Sequence, residues 1–355
     1  MVLLSLFAFL LAVGVLVSFH EYGHYLAARL CGIEVERFSI GLGKPLLLFK
    51  SQSSQTEWVI SRIPLGGYVK LNETSFDDKP LWKRSLVVAA GPIANFILAV
   101  IFIFILYVSG VKQLPANLVE PPSQTLAYAA GIYRGDQVIG WKQARQDDFR
   151  EVISWNQLRW RLMDAITARN DFWLKIKTKD GEQQEAEFLA KNFPPLLPEK
   201  DPIAALGITP STDEPIGWFE YRADPLTAFF MASERTRDIT IVSLRMLRDI
   251  FTGEASVKQI GGPLSIAGMA GQSAQVGWQS FIGFLALISI SLGILNLLPL
   301  PMLDGGQLLY DAWELATGKK IPKNWRFQLQ RFGVVCLLLL TFLALFNDVT
   351  KLFVR

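Results

Sequence analysis

Four long apolar segments constrain the fold of this chain more than any other feature of its sequence. A helix needs roughly 20 apolar residues to cross a bilayer. Residues 2–30, 86–108 and 281–298 meet or approach that length, as do residues 332–346 when extended through 349–354. The first segment lacks the charged start and the cleavage site of a signal peptide, so we expect it to be retained. The sequence therefore predicts a polytopic α-helical membrane protein with four transmembrane helices.

Composition and loop charge refine this prediction. Hydrophobic residues make up 51% of the chain, and the mean hydropathy is positive. The net charge of +3 comes without a long basic tract, which gives no indication of a nucleic-acid partner. Basic residues are concentrated in loop 31–85 and in the loop before the fourth segment. By the positive-inside rule these loops face the cytoplasm, and both termini and residues 110–280 lie on the other side.

The region between the second and third segments contains the pattern of a small α/β domain at residues 115–210. An alternating strand at 137–141 is followed by a helix that Ser154 would cap. A hairpin that turns at Asp180 and Gly181 comes next. This order resembles a PDZ domain and predicts a small α/β PDZ-like extracytoplasmic domain, with an unrelated small α/β domain as the alternative.

A linker with an amphipathic helix is predicted to follow, at residues 211–280. The helix covers about 226–251 and carries many charges, which argues against a membrane span. Its predicted apolar face consists of Ile239, Val242, Met246 and Ile250. The helix would either lie at the membrane surface or pack on the small domain.

The two histidines of the chain, His20 and His24, flank Glu21 near the end of the first segment. Residues at i and i+4 project from one face of a helix, and neutral imidazoles are ligands of Zn²⁺. Glu21 can accept a proton from a water that attacks a carbonyl and can pass it to a leaving amine. Ionisable groups inside a span cost about 2.5–3.5 kcal/mol each. The cluster therefore predicts a zinc hydrolase, with a polar cavity as the alternative.

A catalytic zinc usually has three protein ligands and one open position. The segment NLLPLPMLDGG, residues 296–306, offers Asp304 at the end of the third apolar segment, on the same predicted side as His24. Its two prolines interrupt a helix and its glycines permit sharp turns. A broken helix at membrane depth is tolerated where it lines a cavity. We predict Asp304 as the third ligand, rather than as a helix-end cap.

These motifs together resemble the site-2 protease family of M50-type intramembrane zinc metalloproteases. The resemblance is carried by HEYGH, NLLPLPMLDGG, the PDZ-like insertion and the shorter matches FSIGLGKPLLLF, IPLGGYVKL, AAGPIANFILA and GGPLSIA. It implies that His20, His24 and Asp304 bind Zn²⁺ and that Glu21 is the catalytic base. It also implies that Asn296 hydrogen-bonds the substrate backbone, with helix packing as the alternative. The implied location is the cell inner membrane, with the active site near the cytoplasm and the PDZ-like domain in the periplasm.

Loop 31–85 is rich in strand-like runs. A helical substrate must be unwound before cleavage, and its bare backbone then needs new hydrogen-bond partners. We predict a re-entrant, membrane-associated β-hairpin or sheet whose edge pairs with the substrate. The predicted substrate-binding edge consists of Gly66, Gly67, Tyr68 and Val69. An ordinary soluble hairpin is the alternative.

The predicted division of the chain follows from these segments. It consists of the first span 1–30, the cytoplasmic-side loop 31–85, the second span 86–109, the PDZ-like domain 115–210, the periplasmic linker 211–280, the third span 281–304 with the LDG motif, the cytoplasmic loop 305–331 and the fourth span 332–355. Many members of the family carry two tandem PDZ domains, whereas this chain leaves room for one.

The predicted function is zinc-dependent endoproteolysis of single-span membrane proteins in regulated intramembrane proteolysis. The resemblance implies anti-sigma factors and remnant signal peptides as substrates, and hence a part in an envelope stress response. One alternative is a non-catalytic PDZ membrane adaptor, which would not need Glu21. Another is a metal or ion transporter, which would need further carboxylates or histidines along a path. We expect none in the other spans.

Overall fold

The computed structural model describes residues 2–52, 54–195, 201–212, 218–253 and 261–353. The helices are α1 (Val2–Leu30), α2 (Glu73–Asp77), α3 (Leu81–Ser109), α4 (Leu126–Ala129), α5 (Trp155–Thr167), α6 (Pro202–Ala205), α7 (Pro225–Thr252), α8 (Pro263–Val276), α9 (Trp278–Leu297), α10 (Asp304–Thr317) and α11 (Lys323–Phe353). The strands are β1 (Val35–Lys50), β2 (Glu57–Leu71), β3 (Val111–Gln113), β4 (Gln137–Lys142), β5 (Arg150–Glu151), β6 (Phe172–Lys177), β7 (Gln183–Phe188) and β8 (Phe219–Tyr221). The chain forms two compact units, one of residues 1–103 and 258–355 and one of residues 104–257.

Four helices of the described residues are long and apolar enough to cross a membrane, as the sequence predicted. They are α1, α3, α9 and the Asn324–Thr350 part of α11. Two of them extend beyond the predicted spans: α3 begins at Leu81 and α11 at Lys323. The added turns contain basic and aromatic residues, so they do not continue the purely apolar runs from which the spans were predicted.

Small side chains let α1 and α3 approach each other closely. A Cβ atom on Gly23 would lie 2.4 Å from the carbonyl oxygen of Ala90 and 2.7 Å from Cβ of Ala94. Close helix contacts in membranes depend on such small residues. The same pair of helices shares a buried apolar cluster that includes Ala28 and Val87. The HEYGH motif of α1 is therefore held directly against α3.

The predicted β-hairpin is confirmed, since β1 and β2 pair in antiparallel register. Positive φ angles at Gly41 and Gly43 mark where the backbone takes a conformation that favours glycine. Phe38 pairs with Val69 of β2 and also with Trp58. Residues 37–40 are thus flanked on both sides by parts of β2.

The two ends of this hairpin differ in their surroundings. Near α1, Phe38 is buried and contacts the rings of Tyr25 and Trp58. The far end exposes large apolar side chains, among them Leu46, Leu47, Leu48, Phe49, Ile60 and Ile63. A contiguous apolar surface of this kind marks a membrane or protein contact. The hairpin is therefore anchored on α1 at one end and offers an apolar surface at the other.

Helix α8 was not predicted, because its residues fall within the linker proposed for 211–280. It packs along the first half of α1, where a Cβ atom on Gly271 would collide with Ser5. Ala8, Ala12 and Ala270 are buried in the same cluster. Pro263, the first residue of α8, is a known start signal for helices. Residues 263–276 therefore belong to the first unit.

Asp348 of α11 caps α8. Its carboxylate accepts hydrogen bonds from the backbone N–H groups of Gly262, Leu264 and Ser265 at 2.9–3.1 Å. The Ser265 hydroxyl donates to it as well, and Asp348 is only 3% exposed. The expectation that the other spans carry no further carboxylate is therefore wrong. The burial is tolerated because the charge meets the N–H groups of a helix N-terminus.

The second unit contains a small α/β domain whose apolar core runs from Ala116 to Ile208. Ser154 caps α5 by accepting a hydrogen bond from the backbone N–H of Gln157, as predicted. The four-stranded sheet has the order β5-β4-β6-β7, and β6 and β7 form the predicted hairpin. A single apolar core joins the sheet to the helices, with Leu162, Phe172 and Phe188 fully buried or nearly so.

Helix α7 packs on this domain, the second of the two predicted arrangements. Arg245 of α7 pairs with Asp164 of α5, and Arg161 of α5 pairs with Glu234 of α7. Ile239 and Val242 are buried as expected. Met246, on the same face, is 39% exposed. The charged side chains of α7 reach α5, which a helical wheel of apolar residues alone does not anticipate.

Candidate metal centre

Three side chains from two helices converge in the first unit. The Nε2 atoms of His20 and His24 are 3.2 Å apart. Oδ2 of Asp304 lies 3.2 Å from Nε2 of His20 and 3.5 Å from Nε2 of His24. The one-turn spacing of the histidines on α1 places both rings on one face of the helix. The structure thus brings together the three residues that the sequence singled out as ligands.

Asp304 follows a break between helices α9 and α10. The predicted third span included Asp304, but α9 ends at Leu297 and Asp304 is the first residue of α10. A Cβ atom on Gly305 would lie 2.2 Å from the carbonyl oxygen of Leu298, and one on Gly306 would lie 2.2 Å from that of Leu300. The two glycines therefore let the start of α10 fold tightly against the end of α9. The predicted cytoplasmic loop 305–331 is largely helical as a result.

The outer nitrogens of both imidazoles contact α3. His24 donates from Nδ1 to the carbonyl oxygen of Val87 at 2.8 Å, so Nε2 of a neutral His24 is an acceptor. Nδ1 of His20 lies 3.2 Å from the Nδ2 atom of Asn95, and the Oδ1 atom of Asn95 is buried without a hydrogen-bond donor among the described residues. Rotation of the amide by 180° would satisfy both groups, because Oδ1 would then accept from Nδ1. Such contacts to the second nitrogen orient metal-binding histidines.

Asn95 and Val87 were not predicted as site residues. Asn95 is a single polar residue inside an apolar segment, and a backbone carbonyl leaves no mark in a sequence. The buried Ser289 of α9 donates to the backbone oxygen of Asn95 at 2.7 Å. A buried amide in a span is a functional signal when its partners are polar, and that signal was available at Asn95.

Gly91 of α3 leaves the space that the rings occupy. A Cβ atom there would lie 2.3 Å from Nε2 of His24 and 2.7 Å from Cε1 of His20. Real Cβ atoms do not approach other atoms so closely. The cradle for the histidines therefore depends on a residue without a side chain.

The three converging atoms fit a zinc ion. Oδ2 of Asp304 is buried and accepts no hydrogen bond from the described residues. With both outer nitrogens acting as donors, the three atoms that face one another all present lone pairs, an arrangement that a cation stabilises. Zinc bonds of about 2.0–2.1 Å in a tetrahedron imply ligand separations of about 3.3 Å. The three observed separations lie close to this value, and two nitrogens with one oxygen form a donor set that zinc accepts.

Glu21 lies beside these three side chains. It is half-buried, and its carboxylate is close enough to interact electrostatically with His20, His24 and Asp304. The backbone N–H of Val69 faces this carboxylate. A carboxylate in this position can accept a proton from a water held near the three converging atoms.

The predicted substrate-binding residues lie in two places. Gly67 of β2 is next to α1, where a Cβ atom would lie 3.3 Å from Cγ of Glu21. Gly66, with φ of +93°, and Tyr68 flank it on the same strand. Asn296 is half-buried in the last turn of α9. The strand residues are therefore adjacent to Glu21, whereas Asn296 belongs to the helix that precedes Asp304.

Such a centre, set among apolar helices, is typical of a membrane metallopeptidase. Residues 8–340 match the family model described as Peptidase family M50, and the chain belongs to this family. The resemblance predicted from HEYGH and NLLPLPMLDGG is therefore confirmed.

Relatives in several bacteria align with this chain over nearly their whole length. The "Regulator of sigma E protease" of Haemophilus influenzae is 31% identical, over 98% of this chain and 99% of that protein. The "Protease RseP" of Yersinia pestis is 30% identical, over 99% of both chains. A protein of Ralstonia nicotianae named "Putative zinc metalloprotease" is also 30% identical over 99% of both. The names of these relatives support a zinc metalloprotease.

Proposed function

We propose that this protein is a zinc-dependent intramembrane endopeptidase. His20, His24 and Asp304 hold the zinc, and Glu21 is the catalytic base. The observation that carries the proposal is the meeting of three lone-pair atoms at the separations of a tetrahedral zinc site. When bound, zinc supplies Lewis-acid polarisation and activates water.

The other residues around the site have separate roles. Glu21 takes a proton from the attacking water and returns it to the leaving amine. Val87 and Asn95 fix the ring orientations of His24 and His20. Asn296 hydrogen-bonds the backbone of the substrate, a role that rests on the resemblance to the family.

The strand beside Glu21 supports pairing with an unwound substrate. The N–H and C=O groups of one strand residue point to the same side. Because the N–H of Val69 faces Glu21, both groups of Val69 point away from Phe38, its pairing partner in β1. Residues 67–71 pair with β1 on their other side. An extended peptide could therefore add to this edge, with Gly66, Gly67 and Tyr68 alongside, and present a carbonyl near Glu21.

The substrates we propose are single-span membrane proteins, such as anti-sigma factors and remnant signal peptides. Two relatives are named for the regulation of sigma E or as RseP, which supports a part in regulated intramembrane proteolysis during envelope stress. The basic loops support an inner-membrane protein with its active site near the cytoplasm. The apolar far end of the hairpin supports contact with lipid.

The small α/β domain is proposed to be periplasmic and PDZ-like. Its strand, capped helix and hairpin occur in the predicted order. The alignment with the H. influenzae protein runs over 445 positions, whereas this chain has 355 residues, so at least 90 positions have no residue from this chain. A difference of this size equals about one small domain, which supports a single PDZ-like domain here.

The two alternatives explain the site less well. An adaptor would not need Glu21 beside the three converging side chains. A transporter needs further ligands along a path, and Asp348, the carboxylate found in α11, is satisfied by the N-terminus of α8.

Substitution Glu21→Gln tests the proposal. Cleavage of a model transmembrane substrate should fall by about 10²–10⁴-fold, the usual contribution of a general base, while the zinc content of the purified protein stays at the level of the wild type. Glu73→Gln, on the exposed surface of α2, is the matched control and should leave both unchanged. Retained cleavage by the Glu21 variant would remove Glu21 from its assigned role.

A further inference from the structure

The helix that begins at Asp304 is fastened to the start of α3. Nη2 of Arg84 donates to Oε1 of Glu314 at 2.6 Å, and the hydroxyl of Ser85 donates to Oδ2 of Asp311 at 2.8 Å. Arg84 and Asp311 are 6% and 4% exposed. Two part-buried polar contacts thus join α10 to α3, away from the metal centre.

Stability alone does not account for these contacts. A buried ion pair often contributes no more than well-packed apolar residues would, because both charges lose their hydration. Moreover, the Nε atom of Arg84 is buried without an acceptor among the described residues, and such a group costs free energy. A costly contact of this kind calls for an explanation in function.

The spacing along α10 connects these contacts to Asp304. Asp311 lies seven residues after Asp304, nearly two turns, so both share one face of the helix. Glu314 lies one turn further. At 1.5 Å per residue the contacts are roughly 10–15 Å from Asp304 along the helix axis. A rigid helix of this length transmits a shift at Glu314 to the carboxylate at its start.

The same face of α3 also serves the histidines. Val87 and Asn95 follow Arg84 at helical spacing and contact the outer nitrogens of His24 and His20. All three converging side chains are therefore positioned by one stripe of α3. Among the hydrogen bonds and ion pairs of the described residues, Asp304 is the one residue of α10 that contacts either histidine.

We infer that Arg84 and Ser85 are positioning residues for the metal centre, which hold α10 so that Asp304 meets both histidines. Helix α3 is then the common frame for all three ligands. The inference rests on the proposed function, since it needs Asp304 to bind the metal.

Metal binding by the full-length protein in detergent tests this inference. The zinc dissociation constant, measured by competition with a chelator, should rise about 10–100-fold in Arg84→Gln, as for other residues that orient a ligand. The rise in Ser85→Ala should be smaller. The visible absorption of bound Co²⁺ should weaken in Arg84→Gln, because this absorption reports the geometry of the ligands. A merely structural contact would leave the spectrum of the bound ion unchanged.

Two further variants separate position from folding. The reciprocal pair Arg84→Glu with Glu314→Arg should restore metal affinity to within a few-fold of the wild type. Lys320→Gln removes the exposed ion pair with Asp77 near the end of α10 and should change neither affinity nor spectrum. If Arg84→Gln does not fold, Ser85→Ala and Glu314→Gln give the same measurement with the guanidinium retained.

The results separate the two levels of the proposal. If Asp304→Ala abolishes zinc binding while the Arg84, Ser85 and Glu314 variants keep the affinity and the Co²⁺ spectrum of the wild type, the positioning role is refuted and the metal centre stands. If Asp304→Ala binds zinc like the wild type, the proposed function itself fails.

Discussion

Two aspartates of the first unit, the half-buried Asp304 and the buried Asp348, have opposite surroundings. The carboxylate of Asp348 accepts hydrogen bonds from three backbone N–H groups and one hydroxyl of α8. Oδ2 of Asp304 accepts none from the described residues and faces the Nε2 atoms of two histidines. Asp348 has a structural role, because hydrogen-bond donors of the fold compensate its charge. Asp304 faces other lone pairs instead, and such a group binds a cation.

The largest expected effect is that of Asp304→Asn. Zinc affinity should fall by more than about 100-fold, beyond the range for residues that only orient ligands. The free energy of unfolding of the metal-free protein should stay constant or rise, because an amide N–H can donate to a histidine lone pair. Chelator competition and denaturation in detergent measure the two quantities. A variant that loses stability but keeps zinc would reverse the assignment of Asp304.

The next effect concerns Asn95. Two substitutions there test whether its side chain donates a hydrogen bond to His20 or accepts one from it. Asn95→Leu should weaken zinc binding about 10–100-fold. Asn95→Asp should keep the affinity close to the wild type, because a carboxylate accepts from Nδ1 of His20 as the rotated amide would. Equal losses in both variants would show that Asn95 donates to His20 instead.

Asp348→Asn is the structural counterpart. One of the two acceptor oxygens is replaced by an NH₂ group that faces N–H donors, so we expect a loss of about 1.5–3 kcal/mol in the free energy of unfolding. Zinc affinity should not change. The same denaturation and competition measurements apply, and a loss of zinc binding at constant stability would contradict the structural role.

The smallest effect is expected at a backbone group. Val69→Pro removes the N–H that faces Glu21, and the loss of a hydrogen bond worth about 1–1.5 kcal/mol corresponds to roughly tenfold slower cleavage. Val69→Ala keeps the N–H and should cleave at nearly the rate of the wild type. Cleavage rates of a model transmembrane substrate give the comparison. Equal rates in the two variants would exclude both the contact and the proposed strand pairing at this residue.

The sequence predicted those features that depend on local spacing. The shared face of His20 and His24, the cap at Ser154 and the β1–β2 hairpin each follow from neighbouring residues. Asp304 was found because its motif and its predicted depth agreed with those of the histidines.

Contacts between distant helices were not predictable in the same way. The cap that Asp348 forms on α8 joins residues more than 80 positions apart, and neither partner carries a local signal for the other. The role of Asn95 depends on which face of α3 meets α1. The start of helix α10 was missed because Asp304, Gly305 and Gly306 favour a turn in isolation, whereas the two glycines pack against the residues at the end of α9.

Gly91 shows how narrow the tolerance of this centre is. A single methyl group at that position would occupy the volume of the imidazole rings, although every donor atom would remain in the chain. Such a variant would be inactivated by steric crowding while it keeps every metal ligand. A search for missing histidines or carboxylates would therefore not detect the defect.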